Sequence, residues 1–378
     1  MPQLAQFDTP FASLQLSRRP HRDRETLQPW DAADEYLLQH LASQSIAVDS
    51  RILIVNDSQG SLCAALSTYR CTLWADSAIS QLSANENCAR NQLAAPEFIP
   101  ASDIPQGSFD YILYKLPKAR SLLQYQLQHL APLFSRPEQF IAAAMARHID
   151  HNVVATFSKY LAPARPSLAR KKARLIQLQN MSFNREVDDD CKIVEVPEFG
   201  LTLHNRANVF SRDKLDQGSR IMLRAMDTLA APTRVADLAC GNGLLGVYAQ
   251  GIWPEAELHF FDDSFLAIDS ARRTVQASSR KPNIASSCTF SADDCLSNYH
   301  GEPFDLILCN PPFHQDHHVG DHIAQAMFRD SLKHLAPNGR LCVVGNRHLG
   351  YHNALRKLFG RCDIIDSNPK FVVLLAHR

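Results

Sequence analysis

The sequence predicts an α/β protein with two mostly parallel sheets that follow one another along the chain. Apolar, strand-like runs alternate with helical patterns in both halves, as in doubly wound sheets. Short motifs of the first half recur in the same order in the second half. The length of 378 residues allows two or three domains, each with its own core. We therefore expect two related domains in tandem.

The first half begins with about thirty irregular residues, after which helix and strand patterns alternate. A helix is expected at 31–43, and strands are expected at 51–56, 71–75 and 109–114. Polar or turn residues follow each strand, and an amphipathic helix then leads to Pro132. This order of elements predicts a parallel sheet with helices on its faces.

The second half repeats three short segments of the first. The pairs are 109–113 with 304–308, 129–132 with 334–337, and 76–77 with 263–264. Only Gly60 stands where the second copy has Gly241 and Gly243, and Lys-Leu-Pro-Lys at 115–118 replaces Asn-Pro-Pro-Phe. We expect a duplicated domain whose first copy keeps the scaffold without the chemistry. A chance recurrence of short motifs is the alternative.

Proline residues and a basic cluster lie between the two halves. The cations are Arg165, Arg170, Lys171, Lys172 and Arg174. We expect residues 161–190 to form a basic linker between domains at 1–160 and 191–378, with its cations available to phosphate groups. A solvated helix face is the other interpretation of such a charge run.

A glycine-containing turn in the second half is the first candidate ligand site. It follows a predicted hairpin (192–196 with 201–204), an amphipathic helix and a buried strand. Its candidate contacts are Asp237, Ala239, Gly241 and Gly243. Glycines let a ligand approach the backbone, and an acid at the strand end favours an amino-bearing or cationic ligand over a pyrophosphate. The pattern acid-x-x-x-Gly-x-Gly resembles the S-adenosylmethionine loop of Rossmann-like methyltransferases.

Acidic residues follow the next two predicted strands. Asp262 follows the strand at 257–261, about twenty residues after the glycine turn, where a carboxylate can accept both ribose hydroxyls. Asp263 is the alternative for this position. Asp294 follows the third strand, where it can accept from an adenine amino group. One such acid is more often a helix cap, but their succession at neighbouring strand ends predicts a single cofactor site.

An apolar, strand-like run from Leu306 to Leu308 ends in Asn310-Pro311-Pro312-Phe313. Because proline has no N–H and a fixed φ, the strand stops there and Asn310 is held extended at the carboxyl edge of the sheet. Asn310 and Pro311 offer carbonyl oxygens and Phe313 offers an aromatic face, which suit a planar group with an exocyclic NH2. A proline-rich turn without further role is the alternative. We expect these four residues to be catalytic and Asn310 to border the cofactor as well.

The rest of the second half predicts helices at 321–335 and 352–359 and a strand at 340–346. A closing hairpin of 362–365 with 371–376 is expected to place one antiparallel strand in the sheet.

Composition and charge narrow the possible function further. The formal net charge is zero, so a nucleic-acid partner would be contacted through a local basic patch. The ten cysteines form no C-x-x-C pair, and Cys240, Cys309 and Cys342 lie in apolar runs, which predicts reduced buried thiols. The histidines at 314, 317, 318 and 322 lack partners at zinc spacing, so we expect no metal. With no signal peptide and no apolar run that spans a bilayer, we expect a cytoplasmic protein.

Together these motifs resemble the bacterial ribosomal RNA guanine-N2 methyltransferases, and among them the large-subunit (23S) members. The resemblance rests on residues 237–243, 310–314, 346–349 and 370–374 and on a two-domain length that covers the whole chain. It implies two Rossmann-like methyltransferase domains in tandem, with a seven-stranded, mostly parallel sheet and a C-terminal antiparallel hairpin in the catalytic copy. It also implies S-adenosylmethionine as cofactor and 23S rRNA as partner.

The same resemblance gives roles to the candidate residues. Asn310 and Pro311 would hold both hydrogens of the guanine amine, and Phe313 would stack on a base swung out of its helix. The first domain and the basic cluster would bind RNA. The alternatives are the same chemistry on 16S rRNA, a non-catalytic RNA-binding module, and the adenine-N6 or glutamine-amide methylation that Asn-Pro-Pro also serves.

Overall fold

A computed structural model of the chain describes residues 3–22, 25–183, 190–278, 288–312 and 320–378. The chain divides into two compact units, Met1–Asp189 and Asp190–Arg378. Each unit contains a seven-stranded sheet and a separate two-stranded hairpin within these ranges. The predicted α/β class, the tandem arrangement and the mostly parallel sheets are therefore confirmed.

The first unit alternates strands and helices as expected. Its elements are β1 (Ala5–Asp8), β2 (Ser13–Leu16), α1 (Ala32–Ala42), β3 (Arg51–Val55), α2 (Ser61–Ala65), β4 (Arg70–Ala75), α3 (Ala78–Arg90), β5 (Glu97–Pro100), β6 (Tyr111–Lys115), α4 (Arg120–Leu130), β7 (Phe140–Met145), α5 (His151–Tyr160), β8 (Ala164–Pro166) and β9 (Ala173–Leu178). The sheet order is β5-β4-β3-β6-β7-β9-β8. The first five strands are parallel, and β9 runs antiparallel to both β7 and β8.

The second unit repeats this architecture. Its elements are β10 (Lys192–Val196), β11 (Leu201–Asn205), α6 (Gln217–Met226), β12 (Arg234–Leu238), α7 (Leu244–Ile252), β13 (Glu257–Asp262), α8 (Phe265–Ser278), β14 (Cys288–Ala292), β15 (Phe304–Cys309), α9 (Gly320–His334), β16 (Leu335–Asn346), α10 (Tyr351–Phe359), β17 (Arg361–Ser367) and β18 (Phe371–His377). The sheet order, β14-β13-β12-β15-β16-β18-β17, matches that of the first unit strand for strand, with β18 antiparallel to β16 and β17.

The central strand β15 shows why its residues from Leu306 to Cys309 are all apolar. Leu306 and Leu308 pack into the core on one face of the sheet, whereas Ile307 and Cys309 pack into the core on the other face. Helices cover both faces of a parallel sheet, so every side chain of such a strand is buried. The apolar run therefore carries the chain through the core to the polar residues at the carboxyl edge.

Two segments differ from the sequence prediction. Residues 161–190, predicted as a linker, contain β8 and β9, which complete the first sheet, and the boundary between units follows Asp189. Four of the six residues of β9 are buried, and the cations in and before this strand hid the short apolar pattern. The opening residues, predicted to be irregular, contain the antiparallel hairpin of β1 and β2.

The ten cysteines are all buried or partly buried. They form no disulfide bond within the described ranges, and Cys240, Cys309 and Cys342 are buried as predicted. In the part of the chain that the structure describes, no helix has the length and apolar character needed to cross a bilayer.

Candidate active site

The glycine turn joins β12 to α7 at the carboxyl edge of the second sheet. Ala239, Gly241 and Gly243 have φ values of 60°, 54° and 78°. A Cβ at Gly243 would lie 2.9 Å from Cα of Ala271 on α8, so both helix packing and backbone conformation require glycine there. A Cβ at Gly241 would meet no described atom within 4 Å. The backbone at Gly241 is thus open to the approach of a ligand.

Asp237 lies near the end of β12 and is 2% exposed. Its Oδ2 accepts a hydrogen bond of 2.8 Å from the Gly246 N–H, while its buried Oδ1 has no donor among the residues that the structure describes. Burial raises the pKa of Asp237 to about 7; the bond from Gly246 opposes the rise and the Asp262 charge adds to it. An unsatisfied buried oxygen is rare and unfavourable, so it indicates a site for a ligand donor.

Asp262, at the end of β13, holds the glycine turn in place. Its Oδ2 accepts from the Gly241 N–H and its Oδ1 from the Ser264 N–H, each at 2.9 Å. Burial raises the pKa of this carboxyl, whereas the backbone hydrogen bonds act against the rise. Asp262 and the neighbouring Asp263 are both partly exposed at the strand end. The acid therefore connects the glycine turn to the end of β13.

Asp293 and Asp294 follow β14. The buried Asp293 carboxylate accepts hydrogen bonds from Asp294, Ser297 and Asn298, so its role is to stabilise its own turn. Its N–H donates to the Asp262 carbonyl at 2.9 Å, which brings the ends of β13 and β14 together. Asp294 lies beside it and is partly exposed at the same edge.

Asn310 follows β15, next to the strand that carries Asp237. Its Nδ2 donates to Ser219 Oγ at 3.0 Å, and Ser219 lies in the first turn of α6, which Asp216 caps. The Asn310 Oδ1 is buried and accepts no hydrogen bond from the described protein. Ser219 thus fixes the amide so that its carbonyl oxygen is left for another donor. The sequence did not single out Ser219, because the contact joins residues 91 positions apart.

Pro311 is buried and Pro312 is partly exposed directly after Asn310. Phe313 lies outside the described residues, as do the histidines at 314, 317 and 318, so the stacking role of Phe313 stays a prediction. Among the residues that are described, no three or more acids, histidines or cysteines lie together as a metal site would require.

The first unit has different side chains at the equivalent positions. The strand pairings place Ile54 where the second unit has Asp237, Ala75 where it has Asp262, and Lys115 where it has Asn310. Lys115 forms ion pairs of 2.7 Å with Asp31 and Asp34, at the start of α1. Apolar residues and an internal ion pair therefore stand where the second unit has acids and an unsatisfied amide.

The basic cluster lies on the hairpin of β8 and β9 in the first unit. Its exposed cations are Arg165, Arg170, Lys171 and Lys172, whereas Arg174 is partly buried within β9. Lys171 and Lys172 have φ values of 46° and 67° in the turn between the strands. Lys171 forms an ion pair of 2.7 Å with Glu35. The cluster is thus a surface hairpin with four displayed cations, and it is neither a linker nor a helix face.

Comparison with known proteins identifies both units. Family models match at residues 4–182 (RLMG N-terminal domain) and 200–375 (methyltransferase small domain). The ribosomal RNA large subunit methyltransferase G of Pseudomonas paraeruginosa is 41% identical over 373 residues, covering 98% of this chain and 99% of the relative. The protein of that name from Stutzerimonas stutzeri is 42% identical, with 97% and 98% covered.

A solved structure resembles the whole chain. It is the T. thermophilus 16S rRNA N2 G1207 methyltransferase (RsmC) in complex with AdoMet and guanosine, with a TM-score of 0.76 over 100% of this chain and 98% of that one. At 19% identity the likeness shows the shared fold. The matched methyltransferase domain and the named relatives confirm an rRNA methyltransferase and its cofactor, S-adenosylmethionine. The chain belongs to the ribosomal RNA large subunit methyltransferase G family.

Proposed function

We propose that the chain methylates the exocyclic N2 of a specific guanine in 23S rRNA, in the cytoplasm. The observation that supports this most is the buried, unsatisfied Asn310 carbonyl oxygen, one strand from the glycine turn. The relatives are named large-subunit methyltransferases, which supports 23S rRNA as the substrate. The solved structure that shares the fold is titled an N2 methyltransferase of 16S rRNA, and 16S rRNA is the alternative substrate.

The second unit fits S-adenosylmethionine. The Asp237 Oδ1 would accept from the amino group, Asp262 or Asp263 from the ribose hydroxyls, and Asp294 from the adenine amine. When bound, S-adenosylmethionine supplies an activated methyl group that passes to the amine nitrogen as its C–S bond breaks and one amine proton is released.

The residues of this chain would orient the guanine amine and would not need to provide a strong base. The lone pair of guanine N2 is delocalised into the ring, so the amine is a poor nucleophile. Asn310 and Pro311 would accept its two hydrogens, turn the lone pair toward the methyl group and offset the positive charge that develops on nitrogen. Ser219 keeps the Asn310 amide in this orientation, and Phe313 would stack on the flipped base. Such alignment accounts for a large part of the rate when the methyl donor is already activated.

Methyl transfer to separately purified, unmodified 23S and 16S rRNA tests the proposal. We expect N2-methylguanosine in the 23S digest after incubation with the protein and S-adenosylmethionine. Methylation confined to 16S rRNA would overturn the choice of substrate. N6-methyladenosine as the product, or no RNA product, would overturn the chemistry.

One molecule of S-adenosylmethionine is expected to bind per chain. In the first unit, Ile54 and Ala75 replace the acids and the Lys115 ion pair occupies the position of Asn310. Titration calorimetry on the full chain measures the stoichiometry. Two equivalent sites per chain would contradict the loss of cofactor binding from the first unit.

Cofactor affinity is expected to rise with pH between 6 and 8. Asp237, with a pKa of about 7, is partly protonated in the free protein, and a cationic amino group favours its carboxylate. Below that pKa the affinity should fall by up to about tenfold per pH unit. Calorimetry at several pH values measures the trend. Asp237→Asn keeps an acceptor for Gly246 and should bind weakly without this pH dependence; an unchanged pH profile in that variant would contradict the assignment.

RNA affinity is expected to depend on the β8–β9 hairpin. Each phosphate contact contributes a slope of about 0.7 to 0.9 to the log–log salt dependence. Replacing the exposed Arg165, Arg170 and Lys172 with alanine should weaken RNA binding and flatten the slope by about two. Fluorescence anisotropy of labelled rRNA fragments at a series of salt concentrations measures both quantities.

A control variant with the same loss of charge tests whether the location of the cations matters for RNA binding. Arg356, Lys357 and Arg361 are exposed on and beside α10 of the second unit, and their replacement removes the same charge. We expect this control to change the slope less than the hairpin variant does. Equal slopes for the two variants would place the docking surface elsewhere.

A further inference from the structure

A second unsatisfied amide lies on the strand next to Asn310. Asn346 ends β16, and its Oδ1 is buried without a hydrogen-bond donor in the described ranges of the chain. Leaving a buried acceptor unpaired is unfavourable by about 1–3 kcal/mol. Two such carbonyl oxygens at one sheet edge indicate a ligand that carries two donors.

The two amides lie on the same face of the sheet. Cys309 pairs with Val343, so Asn310 is level with Val344 and Asn346 lies two residues further along. Leu308 and Val344 belong to one core, and side chains alternate along a strand, so Asn310 and Asn346 share that face. Strands about 4.8 Å apart with a rise of about 3.3 Å per residue place the two Cα atoms about 8 Å apart.

The first turn of α6 packs against both positions. Ser219 bonds to the Asn310 amide. A Cβ on the neighbouring Gly218 would lie 3.0 Å from the ring of Phe371, which is the cross-strand partner of Asn346. The same helix turn therefore spans the strand ends that carry both amides, and each amide keeps a carbonyl oxygen that no described protein donor occupies.

The position in the sheet separates this pair from the acidic cofactor candidates. The acids lie at the ends of β12, β13 and β14, whereas Asn310 and Asn346 lie at the ends of β15 and β16, on the other side of β12. The methyl acceptor must lie beside the cofactor, so β15 and β16 are placed to bind the base. Guanine presents two neighbouring donors, the N2 amine and N1–H, whereas adenine has an acceptor at N1.

We propose that Asn346 determines specificity for guanine by accepting a hydrogen bond from N1–H while Asn310 accepts from the N2 amine. This assignment rests on the proposed function. The assignment explains why the carbonyl oxygens of Asn310 and Asn346 are both left without donors at the carboxyl edge of the second sheet. It also makes Asn346 a reader of the ring nitrogen that distinguishes guanine from bases with an exocyclic amine and no N1–H.

The test compares guanine with 2-aminopurine at the methylated position of a synthetic rRNA fragment. 2-Aminopurine keeps the exocyclic amine but has an acceptor at N1. The wild-type kcat/KM should favour guanine by about tenfold or more, because 2-aminopurine leaves the Asn346 acceptor unpaired. Asn346→Ala should lower kcat/KM for guanine and bring the ratio of the two substrates close to one. Asn346→Asp keeps an acceptor and should keep the preference for guanine.

A control variant and the results that would overturn the proposal complete the experiment. Asn353 is exposed on α10, and Asn353→Ala should leave both substrates unaffected. An Asn346→Ala enzyme that loses activity equally on both bases, or that keeps the wild-type ratio, would overturn the proposal. Loss of the preference in Asn346→Asp would overturn it as well, even if the alanine variant does not fold. Failure of the proposed function would instead appear in the wild-type product, as a nucleoside other than N2-methylguanosine.

Discussion

Replacing Asn310 with alanine is expected to lower methyl transfer by about a hundredfold or more. The substitution removes a preorganised acceptor whose oxygen is already buried and held by Ser219, so its effect should fall on the transition state. Cofactor affinity should stay within a few-fold of wild type, because the acids that face the cofactor remain. Single-turnover methylation of rRNA measures the first quantity, and calorimetry with S-adenosylmethionine measures the second.

Two further variants make the result specific. Ser219→Ala keeps the acceptor but releases the amide from its fixed orientation, so we expect a smaller loss of turnover than in Asn310→Ala. Asn353→Ala removes an exposed amide elsewhere in the same unit and should have no effect. Near-normal turnover in Asn310→Ala would show that another group accepts from the amine. A parallel collapse of cofactor binding would show that Asn310 serves mainly the cofactor.

The strands that carry the candidate site could be predicted because each of them has its own local signal. In β15 the apolar run from Leu306 to Cys309 ends at Asn310 and two prolines, and the mostly apolar β12 ends at a glycine turn. Strands that are buried on both faces of a parallel sheet need such runs. The polar residues that follow them must then meet at the carboxyl edge. This reasoning needs no knowledge of long-range contacts.

Features that depend on distant partners could not be predicted in this way. The basic residues around β8 and β9 hid two short strands, which are defined by the pairing of β9 with β7 and of β8 with β9. The orientation of Asn310 depends on Ser219, and the sequence gives no sign that these residues meet. The strand register likewise places Lys115 at the position equivalent to Asn310. The sequence alone showed only that Lys-Leu-Pro-Lys replaces Asn-Pro-Pro-Phe in the first unit.

The buried ion pairs of Lys115 concern the stability of the first unit. Lys115 is 13% exposed at its side chain and Asp34 is 7% exposed, and their charged atoms lie 2.7 Å apart. Burial acts to lower the pKa of Lys115, but the charges of Asp34 and Asp31 outweigh it, so the pKa of Lys115 is raised. Burial raises the pKa of Asp34 to about 7, with Lys115 acting against the rise. The cation is therefore what keeps two neighbouring carboxylates compatible with a folded core.

Lys115→Met is expected to destabilise the first unit by about 3–5 kcal/mol at pH 8, because it leaves the buried Asp34 carboxylate without its cation. Without the cation, the pKa of Asp34 should rise further above its unfolded value. A carboxyl with a raised pKa loses stability as pH rises, so the deficit relative to wild type should be smaller near pH 5 than at pH 8. Urea unfolding of the full chain at both pH values, monitored with a fluorescence probe in the first unit, measures the difference in the free energy of unfolding.

Lys118→Met, at an exposed position three residues away, should change the free energy of unfolding little at either pH. A Lys115→Met protein as stable as wild type at pH 8 would show that the ion pair no more than offsets its own desolvation, and that the first unit does not depend on it.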